Sequence, residues 1–288
     1  MADLKRVALV TGATSGIGVD LARDLLDKGW RVALVGRRIE LGEQLAAELG
    51  ESSRFFPGDQ GNYESLASAF AAVWAAWGRL DAVCLNAGIV DKSSVYILKW
   101  RGKAVDDVPP APDLSTTDVD YKGVVYGTQL ATHYMRHNAP SPGGRVVVTA
   151  SIAALFPHRS YPEYCGAKAA VVQYVRAVAP LLLAKDHVEV NCVLPGIIAT
   201  PIVPPEMINA VSPECITPVD TVLRAYHTFL DAAEPLAGQI VEASADQLIY
   251  YDLPEEGNGA VTRRAVAVWE PLFEMMHGEK SELPDAIP

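Results

Sequence analysis

The stretch Arg6-Val7-Ala8-Leu9-Val10-Thr11-Gly12-Ala13-Thr14-Ser15-Gly16-Ile17-Gly18 decides the fold. Residues 6–10 form a short apolar run with the character of a strand buried on both faces, and residues 17–28 predict a helix that stops at Gly29. A second strand-like run, Arg31-Val32-Ala33-Leu34-Val35, follows at once. The unit is strand, glycine turn, helix, strand. A helix N-terminus presents unpaired N–H groups and a partial positive charge, so a turn built on Gly12, Gly16 and Gly18, with Thr14, Ser15 and Ile17 between them, lets backbone approach a pyrophosphate. The spacing is G-x-x-x-G-x-G rather than the general G-x-G-x-x-G dinucleotide pattern. A plain structural turn is the alternative, but the strand-to-helix junction favours nucleotide binding.

Working outward, further strands are predicted over residues 54–57, 82–85, 145–149, 188–193 and 239–242, and helices over 63–77, 117–138, 164–184, 218–230 and 261–276. Alternating strands and helices predict an α/β fold with a doubly wound parallel sheet of about seven strands and helices on both faces. A single domain is expected over residues 1–245, with a C-terminal helical extension over 246–288 packed on it.

With 288 residues, 50% hydrophobic and 20% charged, the chain is long enough for one large domain. Its net charge of −11 argues against a nucleic-acid partner, which usually meets a basic face. The four cysteines show no CxxC pairing, and the first 30 residues lack a signal-peptide pattern, so a reduced, cytoplasmic protein is expected. No apolar run approaches the roughly 20 residues that span a bilayer. His133 and His137 stand at i, i+4 without a third ligand, so no metal is assigned.

Two further clusters carry chemistry. After the second strand comes Gly36-Arg37-Arg38, with no carboxylate to bond a ribose 2′-hydroxyl; a guanidinium suits a 2′-phosphate, and NADP(H) is therefore expected over NAD(H). Two solvated arginines at a helix start are the alternative. Later, Tyr164-Cys165-Gly166-Ala167-Lys168 places a phenol and an ammonium four residues apart, on one helix face, with Ser151 thirteen residues upstream. A free phenol titrates near about 10, and a neighbouring cation favours its ionised form, which makes it usable as an acid or base. Alone, such a pair also fits a rim aromatic beside a solvated charge.

In order along residues 5–244, Thr11 to Gly18, Asp59, Asn86-Ala87-Gly88, Ser151, Tyr164 with Lys168, and Pro195 to Thr200 (P-G-x-I-x-T) resemble the classical branch of the short-chain dehydrogenase/reductase family. That resemblance implies a Rossmann-type fold and hydride exchange between a nicotinamide and a ketone or secondary alcohol. It implies that Asp59 lies on the adenine side and Asn86, Ala87 and Gly88 beneath the cofactor. Pro195, Ile198 and Thr200 would meet its nicotinamide end. Ser151, Tyr164 and Lys168 would be catalytic, Lys168 also bonding the ribose. The family usually has Asn where this chain has Asp120, at a relay leading from the Lys to solvent; a charged Asp120 could pair with Lys168 instead.

The loop over residues 90–115 is longer than in most of the family and is a candidate flap. Residues 201–208, rich in Ile, Val and Met, match a substrate lid and favour an apolar ligand. The tail is similar to that of hydroxyprostaglandin-dehydrogenase-like members, which implies a bulky lipophilic small-molecule substrate. Family members commonly form homodimers or homotetramers through the helices here expected over 117–138 and 164–184. Pro180 either bends the second of these or ends it early. Non-redox chemistry on the same fold, or cofactor sensing, is the rival class.

Overall fold

A computed structural model describes residues 5–288. It contains two compact units, one running through Tyr250 and the other Tyr251–Pro288. The first unit begins with β1 (Val7–Thr11), α1 (Ile17–Asp27), β2 (Arg31–Gly36), α2 (Ile39–Leu49), β3 (Ser53–Pro57), α3 (Tyr63–Trp77) and β4 (Ala82–Leu85). After a long loop come α4 (Ser115–Thr117), a π-helical turn (Asp118–Lys122), α5 (Gly123–Met135), β5 (Gly144–Thr149), α6 (Pro162–Asp186) and β6 (Val188–Pro195). The unit closes with α7 (Pro205–Ala210), α8 (Val219–Leu230), β7 (Ile240–Ser244) and β8 (Gln247–Tyr250). The second unit holds α9 (Gly259–Val266) and α10 (Glu270–His277).

The sheet order is β3-β2-β1-β4-β5-β6-β7-β8. The first seven strands are parallel, and β8 returns antiparallel against β7. The expected count of about seven thus becomes eight. The extra strand was hidden because its four residues, Gln-Leu-Ile-Tyr, lie at an edge and are mostly exposed rather than forming a buried run. Every residue of β1, β4 and β6 is buried, as strands covered on both faces require. Helix α1 supplies part of that cover by burying Leu21, Ala22 and Leu25 at i, i+1 and i+4, and each buried leucine contributes about 1.5–3 kcal/mol. Trp30, Tyr226 and Phe229 fill the same core layer.

Several boundaries differ from expectation for local reasons. The helix expected over 117–138 starts at Ser115, ends at Met135 and contains the π-helical turn. Helix α2 follows Arg37 and Arg38, where only a helix start had been considered. Pro180 stands inside α6 without ending it, and the helix runs on to Asp186. The late helix is broken into α9 and α10 because Pro271 lacks an N–H and fits only in a first turn. By length and composition alone α6 is apolar enough to cross a membrane, a test that the core helix of an α/β sheet layer also passes. Helix α6 carries the buried ion-paired Lys168 and serves as a helix of the α/β sheet layer.

Candidate functional site

The strand order reverses between β1 and β4, and a ligand crevice in an open α/β sheet lies at such a switch, beyond the carboxyl ends of the strands. A cleft of about 570 Å³ opens there. Gly12, Thr14, Ser15, Gly16 and Ile17 line one end. Gly16 caps α1 at φ 53° with no side-chain hydrogen bond, so the first-turn N–H groups are left uncapped by side chains. Gly18 is not on this wall. It is buried behind the turn, where a Cβ would fall 2.4 Å from the Gly12 carbonyl oxygen, so its lack of a side chain lets helix and turn pack closely.

The same end is walled by Arg37, Arg38 and Asp59. The Arg38 guanidinium donates to the Thr14 hydroxyl at 2.9 Å and to its carbonyl at 3.0 Å, tying the start of α2 to the glycine turn. Arg37 stays exposed, 3.9 Å from the Asp59 carboxylate. Asn86, Ala87 and Gly88 form the floor after β4. One hydroxyl organises them: Thr11 Oγ1 accepts from the backbone N–H of Asn86 at 2.9 Å and of Ala87 at 3.1 Å, and donates to Gln60 at 2.6 Å. Gln60 in turn donates to the carbonyls of Ala87 and Val119. Sequence reasoning missed Gln60; no motif marks it, and only the meeting of β1, β4 and the π-helical turn gives it a task.

Ser151, Tyr164 and Lys168 also line the cleft, as do Pro195, Ile198 and Thr200, and Thr200 packs against Gly16 of the glycine turn. Ser151 follows β5, and its oxygen accepts from the Ala153 N–H at 3.1 Å, leaving its own proton free to donate elsewhere. The Lys168 ammonium lies 5.5 Å from the Tyr164 ring centre and is buried, donating to the Thr149 carbonyl at 2.9 Å. Asp120 is not on the cleft wall. Its fully buried carboxylate reaches Lys168 at 3.1 Å from behind and accepts the Ile89 N–H at 2.9 Å. Burial alone would lower the Lys168 pKa, but the charges of Asp120 and Tyr164 outweigh it and hold the ammonium above its usual range. Burial pushes the Asp120 carboxyl up, opposed by the charge of Lys168 and the Ile89 N–H.

One wall of the cleft is apolar. Ile202, Val203, Pro204 and Met207, ahead of and within α7, line the cleft with His158 and Tyr161. The long loop is tied at its neck by Ser93 and Asp113, and Tyr96 donates from it to the Arg159 carbonyl at 2.7 Å. His133 and His137 belong to an aromatic cluster with Trp74 and Tyr134.

The cleft is therefore shaped for an extended dinucleotide: an uncapped helix N-terminus for phosphates, a backbone floor that admits no Cβ at Gly12 because Ala87 lies 2.9 Å away, and hydroxyl and ammonium donors on its wall. Comparison with known proteins agrees. Residues 6–209 match the family model described as short chain dehydrogenase. The chain is 62% identical over 292 residues to "Short-chain dehydrogenase/reductase prx6" of Penicillium rubens, covering 98% of each chain. It is 32% identical to human "15-hydroxyprostaglandin dehydrogenase [NAD(+)]" over 68% of this chain and 70% of that one. Among solved structures, a 3-ketoacyl-(acyl-carrier-protein) reductase from Brucella melitensis complexed with NADH superposes with a TM-score of 0.71, at 22% identity, covering 84% of this chain and 98% of that one. The strand order, the glycine turn, the Ser-Tyr-Lys cluster and these matches agree, and the chain belongs to the short-chain dehydrogenase family.

Proposed function

We propose that the protein is an NADP(H)-dependent oxidoreductase that interconverts a ketone and a secondary alcohol on a bulky, apolar small molecule. The observation that carries this reading is the meeting of Ser151, Tyr164 and Lys168 on the wall of the cleft that begins at the glycine turn. When bound, the reduced nicotinamide supplies a hydride for the carbonyl carbon. Tyr164 gives its phenolic proton to the carbonyl oxygen, and Ser151 donates a hydrogen bond to that oxygen, so negative charge does not accumulate on it. Lys168 stabilises the phenolate that Tyr164 becomes, and Asp120 with the Thr149 carbonyl holds Lys168 in place. In the oxidative direction Tyr164 accepts the proton. The apolar wall of Ile202, Val203 and Met207 suits a lipophilic ligand.

Arg37 and Arg38 favour the 2′-phosphate form of the dinucleotide, since no carboxylate stands at the end of β2. The competing reading is NAD(H), favoured by the NAD(+) in the name of the hydroxyprostaglandin relatives and by the lack of a free fork on Arg38, which already bonds Thr14. The test is reduction of cyclohexanone, α-tetralone and benzil followed by nicotinamide absorbance with either dinucleotide. Expected are turnover rising with apolar bulk, a kcat/KM higher with NADPH, loss of activity in Tyr164→Phe, and a fall of about tenfold or more in NADPH affinity in Arg37→Ala. Equal use of NADH by the wild type would overturn the cofactor assignment; full turnover by Tyr164→Phe would overturn the reaction. We also expect a cytoplasmic homodimer or homotetramer.

A further inference from the structure

We propose that Asp91 is a positioning residue that sets the backbone of Tyr164 for proton transfer; this rests on the acid/base reading of Tyr164 given above. Helix α6 begins at Pro162, which has no N–H, and its capping residue Tyr161 makes no side-chain cap. The next two donors, the N–H groups of Glu163 and Tyr164, would then be orphans of the first turn. Both are taken by one carboxylate from a loop more than seventy residues upstream: Asp91 Oδ2 accepts from Glu163 at 2.9 Å and Oδ1 from Tyr164 at 2.8 Å. A charged acceptor on two N–H groups at the positive end of a helix makes a strong, directional anchor.

The anchor is one side of a closed ring. Asp91 lies in the loop that leaves Asn86-Ala87-Gly88, so the floor of the cleft is joined directly to the amide of Tyr164. The side chain of Glu163 accepts from the Thr117 N–H at 2.8 Å and hydroxyl at 2.9 Å, joining the same turn to the start of the π-helical turn. That turn carries Asp120, which meets Lys168 one helical turn beyond Tyr164 and returns to the loop through the Ile89 N–H. Three carboxylates, at 91, 120 and 163, thus lock the loop after β4, the π-helical turn and the first turns of α6 into one frame. Asp91 is the only one of the three that holds the peptide of Tyr164 itself. Without it the phenol stays in the cleft, but its position relative to the floor is set through the side chain of Glu163, through the contacts of Asp120 with Lys168 and the Ile89 N–H, and by packing.

The test uses the full chain with α-tetralone and NADPH. In Asp91→Ala we expect kcat to fall about 100-fold, the scale of a catalytic group displaced by about 1 Å, while the Kd for NADPH from fluorescence titration stays within about twofold. Asp91→Asn keeps one accepting oxygen and recovers to within about tenfold of wild type. Backbone amide exchange of the peptide covering Glu163 and Tyr164 is faster in Asp91→Ala, a readout independent of turnover. A kcat of Asp91→Ala close to wild type, a loss shared equally by NADPH binding, or unchanged exchange at the first turn of α6 would each overturn the proposal. The controls separate it from the reading beneath it. A fully active Tyr164→Phe removes both, whereas an inactive Tyr164→Phe beside a fully active Asp91→Ala removes the positioning role alone.

Discussion

The carboxylate of Asp120 accepts the Ile89 N–H at 2.9 Å through one oxygen and forms an ion pair with the Lys168 ammonium at 3.1 Å through the other. A carboxylate offers an oxygen to each, while the amide of an asparagine has only one acceptor. We therefore expect Asp120→Asn to lower stability by roughly 1–3 kcal/mol in a denaturant melt and yet to retain reductase activity, because Tyr164 and Ser151 are untouched. A loss of turnover as large as that of Tyr164→Phe would contradict this. Asp120→Ala leaves the buried ammonium without its counter-charge and should cost more, about 3–5 kcal/mol. At this scale the sequence was legible where a motif has fixed local spacing: Ser151, Tyr164, Lys168 and the glycine turn all reach one cleft. Gln60, Asp91 and Glu163 were not legible, because their partners lie 27 to 73 positions away and only tertiary pairing defines them.

Among elements, buried periodic segments were read closely and edges were not. Helix α3 runs over Tyr63–Trp77 as expected, with Asn62 accepting the Ser65 N–H at its start and Gly78 in the left-handed region at its end. The tail lacked such marks, and the break before α10 came from Pro271. The C-terminal end of the chain is tied to the start of α10 by backbone bonds of Ile287 to Val268 and Glu270, and ahead of them by the Glu270 side chain. Glu270 accepts from the Ser281 hydroxyl at 2.6 Å and N–H at 2.8 Å, and from the Glu282 N–H at 3.1 Å. The Ser281 hydroxyl, first among several causes, lowers the Glu270 pKa below its ordinary 4.5. A depressed carboxyl pKa stabilises above the unfolded value and stops doing so as pH falls through the folded one. Amide protection over residues 278–288, taken as exchange relative to the intrinsic rate at each pH, should therefore be high at pH 7 and fall below about pH 4.5, whereas Glu270→Gln should show low protection at both. A wild-type protection factor unchanged between the two pH values would argue against the tie.

For the whole molecule, the division after Tyr250 differs from the boundary at 245 expected from the sequence, because β8 belongs to the sheet. The difference has a measurable consequence. A chain cut after residue 250 keeps β8 paired along β7 and should bind NADPH like the full protein, whereas a cut after residue 245 bares the edge of β7 and should aggregate. Size-exclusion chromatography and fluorescence titration of the two truncations check this, and a soluble, binding-competent 1–245 chain would refute it. The fold class was legible from the start because buried parallel strands announce themselves as apolar runs, while an exposed edge strand does not. The π-helical turn at Asp118–Lys122 carries a different consequence. Removing any one of its five residues would let the helix relax to regular winding and swing everything on its N-terminal side by about 100°, taking Thr117 away from Glu163. Length here is a constraint in itself: a one-residue deletion should damage the enzyme more than most single substitutions in the same five positions.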